Sequence, residues 1–240
     1  MTASTLTAAA IAGMIDHAIL KPELTRAEVD AQLDIAARYR IFSVCVRPSD
    51  VAHAVTRLAG TDVAVGTVIG FPHGTTSTAA KAAEARQALD DGAAELDMVL
   101  NIGRLRSGLL DDVEADIRAV VEAGQGRVVK VILETAFLSD DDIVAGCRAA
   151  ERAGAAFVKT STGFAGGGAT AAHVELMRRT VGPSVQVKAS GGVRDLDTVL
   201  AFHAAGVTRF GTSGTATILD DATTRESGAT APAREDRSSY

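Results

Sequence analysis

Short apolar runs alternate with amphipathic stretches eight times along this chain, and that rhythm limits its fold more than any other feature. Strand-like runs fall at residues 14–19, 42–46, 63–69, 95–100, 128–133, 157–160, 185–189 and 209–211. Helical periodicity covers 26–39, 49–58, 76–90, 111–123, 140–153, 170–180 and 196–205, with a short opening helix from about residue 4 and a short last one from about residue 213. Strands separated by helices pair in parallel, and eight such units in 240 residues fit a closed α/β architecture, the (β/α)8 TIM barrel. A doubly wound open sheet would usually carry a Gly-x-Gly-x-x-Gly turn after its first strand. This chain has Leu20-Lys21-Pro22-Glu23 there instead.

Local punctuation agrees with these elements. Ser139-Asp140-Asp141-Asp142 offers a cap and acidic residues to the start of one helix, and Gly154 suits the left-handed position after its end. Gly92 and Gly206 close two other helices in the same way. From Asp220 the apolar content almost vanishes, so the expected organisation is one barrel domain over 1–219 and a flexible polar tail over 220–240.

Inside the strand-like runs stand two isolated lysines, Lys159 in Phe-Val-Lys-Thr-Ser-Thr-Gly and Lys188 in Val-Gln-Val-Lys-Ala-Ser-Gly-Gly. Strand alternation puts Lys159 on the side of Phe157 and Lys188 on the side of Gln186, with Val158 and Val187 facing the helices. Both lysines therefore point into the barrel, as does Asp97, on the side of Glu95 and Val99, and Asp16, in Ile-Asp-His-Ala, lies toward the end of the first strand. A free lysine titrates at about 10.4, and burial beside a second ammonium favours its neutral form. A drop of about three units takes roughly 4 kcal/mol and leaves a nucleophilic amine able to form an imine with a carbonyl. The second lysine would stay charged. Asp97 would carry protons or hold the cationic lysine, and Asp16 would orient lysines or substrate hydroxyls. Residue pattern alone leaves open which lysine is the nucleophile.

Three successive strand ends add small hydroxyl and glycine residues: Thr160 to Gly163, Ser190 to Gly192, and Gly211-Thr212-Ser213-Gly214. Backbone N–H groups at such junctions, next to helix N-termini, can cradle a phosphate near the last strands of a barrel. Other polar residues are expected to be less central. Cys45 reads as a small buried hydrophobe, His73 as part of a rim loop and Glu134 as a candidate member of the polar network. Lys130 reads as lying at the wrong end of the barrel.

Composition narrows the partners. Hydrophobic residues make up 47% and charged residues 22%, the net charge is −6, and no basic run occurs, so nucleic acid is not an expected ligand. Two separated cysteines and five scattered histidines lack metal-ligand spacing, so no metal is expected. No secretory signal or membrane-spanning run is evident, and the expectation is a reduced, cytoplasmic protein with no membrane contact.

The segments 157–163, 187–193 and 95–100 resemble the signature segments of the deoxyribose-phosphate aldolase family, and 15–20, 69–74 and 209–213 match it as well. The resemblance runs from about residue 6 to 219. It implies a cofactor-free class I aldolase that reversibly cleaves 2-deoxy-D-ribose 5-phosphate to D-glyceraldehyde 3-phosphate and acetaldehyde. By that resemblance Lys159 is the Schiff-base lysine, Lys188 the lysine that depresses its pKa, and Asp97 the proton carrier. Gly163, Gly191, Gly192 and Ser213 fall at the phosphate site, Thr160 and Gly214 are expected to bind substrate or phosphate with them, and a homodimer is implied. The glycine-rich loop lacks a lysine that some members carry, and Gly214 stands where some have a second serine. Weaker dependence on the phosphate is therefore expected. The terminal Tyr240 is a candidate to assist a proton transfer. Competing readings are another lysine-dependent barrel aldolase, a metal-dependent lyase, disfavoured because no two histidines flank a carboxylate, and a non-catalytic phosphate-binding barrel.

Overall fold

The computed structural model of the chain describes residues 6–228. Eight parallel strands, β1 (Ile15–Ile19), β2 (Ser43–Val46), β3 (Ala64–Ile69), β4 (Glu95–Val99), β5 (Val128–Ile132), β6 (Phe157–Lys159), β7 (Gln186–Ser190) and β8 (Arg209–Thr212), close in sequence order into a barrel. β8 pairs with β1, with Asp16 opposite Gly211 and His17 opposite Thr212. Every expected strand is present, six of them a residue shorter at one end, β7 shifted by one residue and β8 a residue longer.

The helices are α1 (Ala8–Ala12), α2 (Arg26–Tyr39), α3 (Val51–Arg57), α4 (Thr78–Asp90), α5 (Ile102–Arg106), α6 (Leu110–Ala123), α7 (Asp140–Arg152), α8 (Ala171–Thr180), α9 (Leu196–Ala204) and α10 (Thr215–Glu226). Their starts follow local chemistry. Thr25 and Glu28 form a reciprocal capping box at α2, and Ser139 and Asp142 form another at α7, each satisfying N–H groups that the helix leaves free. The short α5 escapes a periodicity search because it spans little more than one turn. Its start is set by Asn101, whose side chain accepts from Arg104 N–H at 3.0 Å.

The expected tail is corrected at its beginning. Residues 220–226 continue α10 and do not form a loose segment. Ala222 is buried, Tyr39 donates to Asp220 at 2.8 Å, Arg225 pairs with Asp221 one turn earlier, and Glu226 accepts from Ala8 N–H at 2.6 Å. Small and paired polar residues hold this helix, which is why a search for apolar content misses it. Tyr240, the candidate proton carrier, lies outside the described residues.

The apolar core lies between strands and helices. Val129, Val131, Val158, Val187, Leu96 and Met98 face outward from the sheet and are buried at 0–2% exposure. The barrel interior is different. Bulky branched residues usually fill it, whereas here it holds Asp16, Glu95, Asp97, Lys130, Lys159, Lys188 and Arg209, all buried.

Candidate active site

β6 and β7 bring Lys159 and Lys188 directly opposite each other in register, at the C-terminal half of the barrel. Both Nζ atoms donate to the same oxygen of Asp97 on β4, each at 2.7 Å. Lys188 also reaches Asp16 at 2.6 Å, and Asp16 is held in turn by Ser43 at 2.6 Å and Arg209 at 2.9 Å. Below them, Lys130 donates to the second oxygen of Asp97 at 2.8 Å and to Glu95 at 2.6 Å, and lies 3.4 Å from Asp16. Arg209 joins Glu95 at 3.0 Å and stacks on Phe42, with the guanidinium carbon 3.6 Å from the ring centre.

The charges in this cluster do not cancel if every group is ionised. Asp16, Glu95 and Asp97 face Lys130, Lys159, Lys188 and Arg209, so three carboxylates meet four cationic side chains. A buried cluster favours neutrality because an uncompensated ion there is costly. Loss of one proton from a cation would balance the rest. Lys159 has a single carboxylate partner, already shared with two other lysines, while Lys188 and Lys130 each touch more than one.

Titration behaviour follows from these contacts. Burial, reinforced by the Lys188 ammonium, holds Lys159 below the usual lysine range despite the opposing pull of Asp97. Burial acts on Lys188 too, yet Asp16 and Asp97 outweigh it and raise that lysine. Lys130 is raised by Asp16, Asp97 and Glu95 against its own burial. Burial alone would raise Asp97, but Lys130, Lys159 and Lys188 bring it well below the usual carboxylate range. Burial pushes the Cys45 thiol up to about 11, which keeps it a protonated wall residue.

The lysine pair opens into a cleft of about 670 Å³, lined by Asp16, Cys45, Lys159, Lys188 and the loops after β6, β7 and β8. That size suits a small-molecule ligand. Gly163, Gly191, Gly192 and Ser213 all line it. Gly191 has φ +78° and lies so close to the neighbouring loop that a Cβ there would sit 2.9 Å from Gly168, so these two loops interlock. Thr160 and Gly214 are not among the lining residues. Thr160 clamps β6 to β7, its hydroxyl donating to Ser190 C=O and accepting from Ser190 N–H, both at 3.0 Å. Gly214 spends its N–H on Thr212 at 2.9 Å. Phe164 in the glycine-rich loop meets Phe71 edge-on, with ring centres 5.2 Å apart.

The profile of the DeoC/LacD family aldolases matches residues 10–221. The chain belongs to this aldolase family. It is 53% identical over 208 residues to deoxyribose-phosphate aldolase 2 of Staphylococcus aureus, covering 87% of this chain and 94% of that one. It is 54% identical over 205 residues to deoxyribose-phosphate aldolase 1 of the same species, covering 85% and 93%. Among solved structures, the deoxyribose phosphate aldolase of Aeropyrum pernix, described as tetrameric, superposes with a TM-score of 0.84 at 29% identity, covering 93% and 94%.

Within this aldolase fold the structure unites Asp16, Asp97, Lys159 and Lys188, and it corrects the placement of Lys130. Register sets Lys130 directly opposite Asp97, in the middle of the cluster. Strands of a barrel are staggered, so position along one strand does not give height along the barrel axis. Arg209 is a further charge partner that the lysine pattern does not reveal, although its alternation with Gly211 turns it inward. Glu134 does not reach the lysines. It takes a left-handed backbone, φ +59°, and its carboxylate accepts from Thr162 N–H and the Thr162 hydroxyl. His73 is exposed and does not line the cleft. Among the described residues no group of three or more His, Cys, Asp or Glu is placed to hold a metal ion. No described helix is long and apolar enough to cross a membrane.

Proposed function

We propose that this chain is a deoxyribose-phosphate aldolase, a lyase that reversibly cleaves 2-deoxy-D-ribose 5-phosphate into D-glyceraldehyde 3-phosphate and acetaldehyde. The observation that carries the reading is the divided lysine pair, with Lys159 lowered and Lys188 raised at the floor of one cleft. The named aldolases, identical at 53–54% of the aligned positions, support the same substrate.

In this mechanism the neutral Lys159 amine attacks the aldehyde carbon, C1, of the open-chain sugar, and the carbinolamine loses water to form a protonated imine. The C3 hydroxyl then gives up its proton and the C2–C3 bond breaks. Its electron pair moves to the C1–C2 bond as the iminium nitrogen becomes an enamine nitrogen. C3 leaves as the aldehyde of D-glyceraldehyde 3-phosphate. Protonation of C2 and hydrolysis of the imine release acetaldehyde and restore Lys159. Lys188 stays charged and stabilises the carbinolamine oxygen, while Asp97, hydrogen-bonded to both lysines, carries the proton between steps. Asp16 fixes Lys188. The phosphate lies against Gly163, Gly191, Gly192 and Ser213, whose loops present backbone N–H groups at helix starts. The proposed assembly is a homodimer, which sedimentation would read as about twice 24.6 kDa.

Borohydride reduction in the presence of acetaldehyde, followed by peptide mapping, tests the chemistry. The expected product is a stable N-ethyl group on Lys159, formed equally with a chelator present. An adduct confined to other lysines, or activity lost to the chelator, would overturn the reading.

A further inference from the structure

One wall of the cleft is not used by this mechanism. It is built from the loop after β1 and from α2, and it contributes Lys21, Leu24 and Gln32. β1 is hydrogen-bonded to β8, so this wall stands next to the loop that carries Ser213. Its shape is held firmly. Arg47 donates to the carbonyls of Lys21, Pro22 and Leu24 at 3.1–3.2 Å, and Asp50 holds Arg47 at 2.6 Å.

Gln32 is oriented by a buried relay. His17, on the helix-facing side of β1 and fully buried, contacts Gln32 Oε1 through Nε2 at 2.7 Å and the Thr215 hydroxyl through Nδ1 at 2.7 Å. A carboxamide oxygen can only accept, so His17 carries its ring proton on Nε2 and Nδ1 accepts from Thr215. That arrangement consumes the oxygen end of Gln32. Its two amide N–H groups have no partner among the described residues, on a side chain that lines the cleft. Thr215 opens α10 two residues after Ser213, which ties this orientation to the phosphate end of the cleft. Lys21, on the same wall, has no ion pair among the described residues, so its ammonium is available to an anion.

We propose that Gln32, oriented by His17 and Thr215, and Lys21 form a side-chain wall of the phosphate site. The inference rests on the proposed substrate and concerns how its phosphate end is held. It supplies two donors where the loop lysine and second serine are missing, and so it opposes the expectation of weak dependence on the phosphate. Gln32 binds substrate and His17 is a positioning residue.

The test compares wild type, Gln32→Leu, Gln32→Glu and Lys21→Met. Each is assayed for kcat and KM on deoxyribose 5-phosphate and on unphosphorylated deoxyribose, and for inhibition by inorganic phosphate. Gln32→Glu keeps the acceptor toward His17 and replaces the donor end with an oxygen. The expected result is a fall of roughly tenfold in the preference for the phosphate ester in Gln32→Leu, carried by KM. The inhibition constant of inorganic phosphate rises by a similar factor, with a larger effect in Gln32→Glu and the same direction in Lys21→Met. A wild type that cleaves the ester, with variants whose preference and phosphate inhibition are unchanged, would sink this wall and leave the aldolase reading standing. Equal losses on both substrates would also sink it, by revealing a structural role. A wild type inactive on the ester would overturn both.

Discussion

At the level of single residues, Lys159 and Lys188 share one carboxylate oxygen and differ in what else they touch. Lys188 has Asp16 as a second partner, and Lys159 has none. The Lys188 charge therefore lowers Lys159 while its own charge is secured. Replacing Lys188 with Met removes that ammonium and lets Asp97 act on Lys159 with less competition, so the pKa of Lys159 rises. In the proposed mechanism the nucleophile is the deprotonated Lys159 amine, so activity is expected to climb as pH passes through this pKa. In Lys188→Met the rising limb of the kcat/KM profile is expected to move to higher pH, with most activity lost at neutrality. A profile recorded from about pH 5 to 10 with both proteins checks it, and an unmoved limb would count against the charge argument. The same strand geometry explains Thr160. It follows Lys159 in the chain and so faces the other way, which simple alternation already implies.

Individual elements position these residues by close approach. Gly211 on β8 sits where a Cβ would lie 2.9 Å from the Ser190 Cβ and 3.3 Å from the Lys188 Cε. The strand therefore leaves the lysine stem the space it needs. Gly211→Ala is expected to displace Lys188 and cut kcat by about tenfold or more, with a stability loss of about 1–3 kcal/mol from overpacking. Steady-state kinetics and urea unfolding on one preparation separate the two effects. Helix and strand identity was legible because capping residues and period-two alternation act over a few residues. The end of α10 was not legible. Its helix is secured by Tyr39 of α2 and by the Ala8 N–H of α1, contacts made between distant parts of the chain.

Across the whole molecule, β1, β4, β5, β6, β7 and β8 each contribute to one charge cluster, and its balance is a property of the closed barrel. Lys130→Met removes a cation that touches Asp97 and Glu95. Two charged partners, Lys188 and Arg209, then face three carboxylates, and protonated Lys159 becomes the third. Breaking such a buried network costs about 3–5 kcal/mol, read as a lower urea midpoint. Activity at neutral pH is expected to fall as well, because Lys159, the proposed nucleophile, is then held as an ammonium. A variant with wild-type neutral activity would show that Lys130 does not govern the balance. The acid side has its own sign. Asp97 is lowered below its unfolded value of about 3.9, so its contribution to stability is complete above that value and is lost as pH falls toward the lower folded one.

Local pattern alone set the eight-fold strand and helix rhythm and the inward side of Asp97, Lys159 and Lys188, because periodicity acts between near neighbours in the chain. Family motifs at the strand ends pointed to the chemistry. Two features came only from tertiary contacts: Lys130 stands level with Asp97, and Arg209 completes the cluster; the same contacts lower Lys159 and raise Lys188, the order that the motif resemblance implied. Electrostatic interaction falls with distance and grows with burial. A choice between two lysines in similar local sequence therefore depends on neighbours from other strands, and closure of the barrel is what sets those distances.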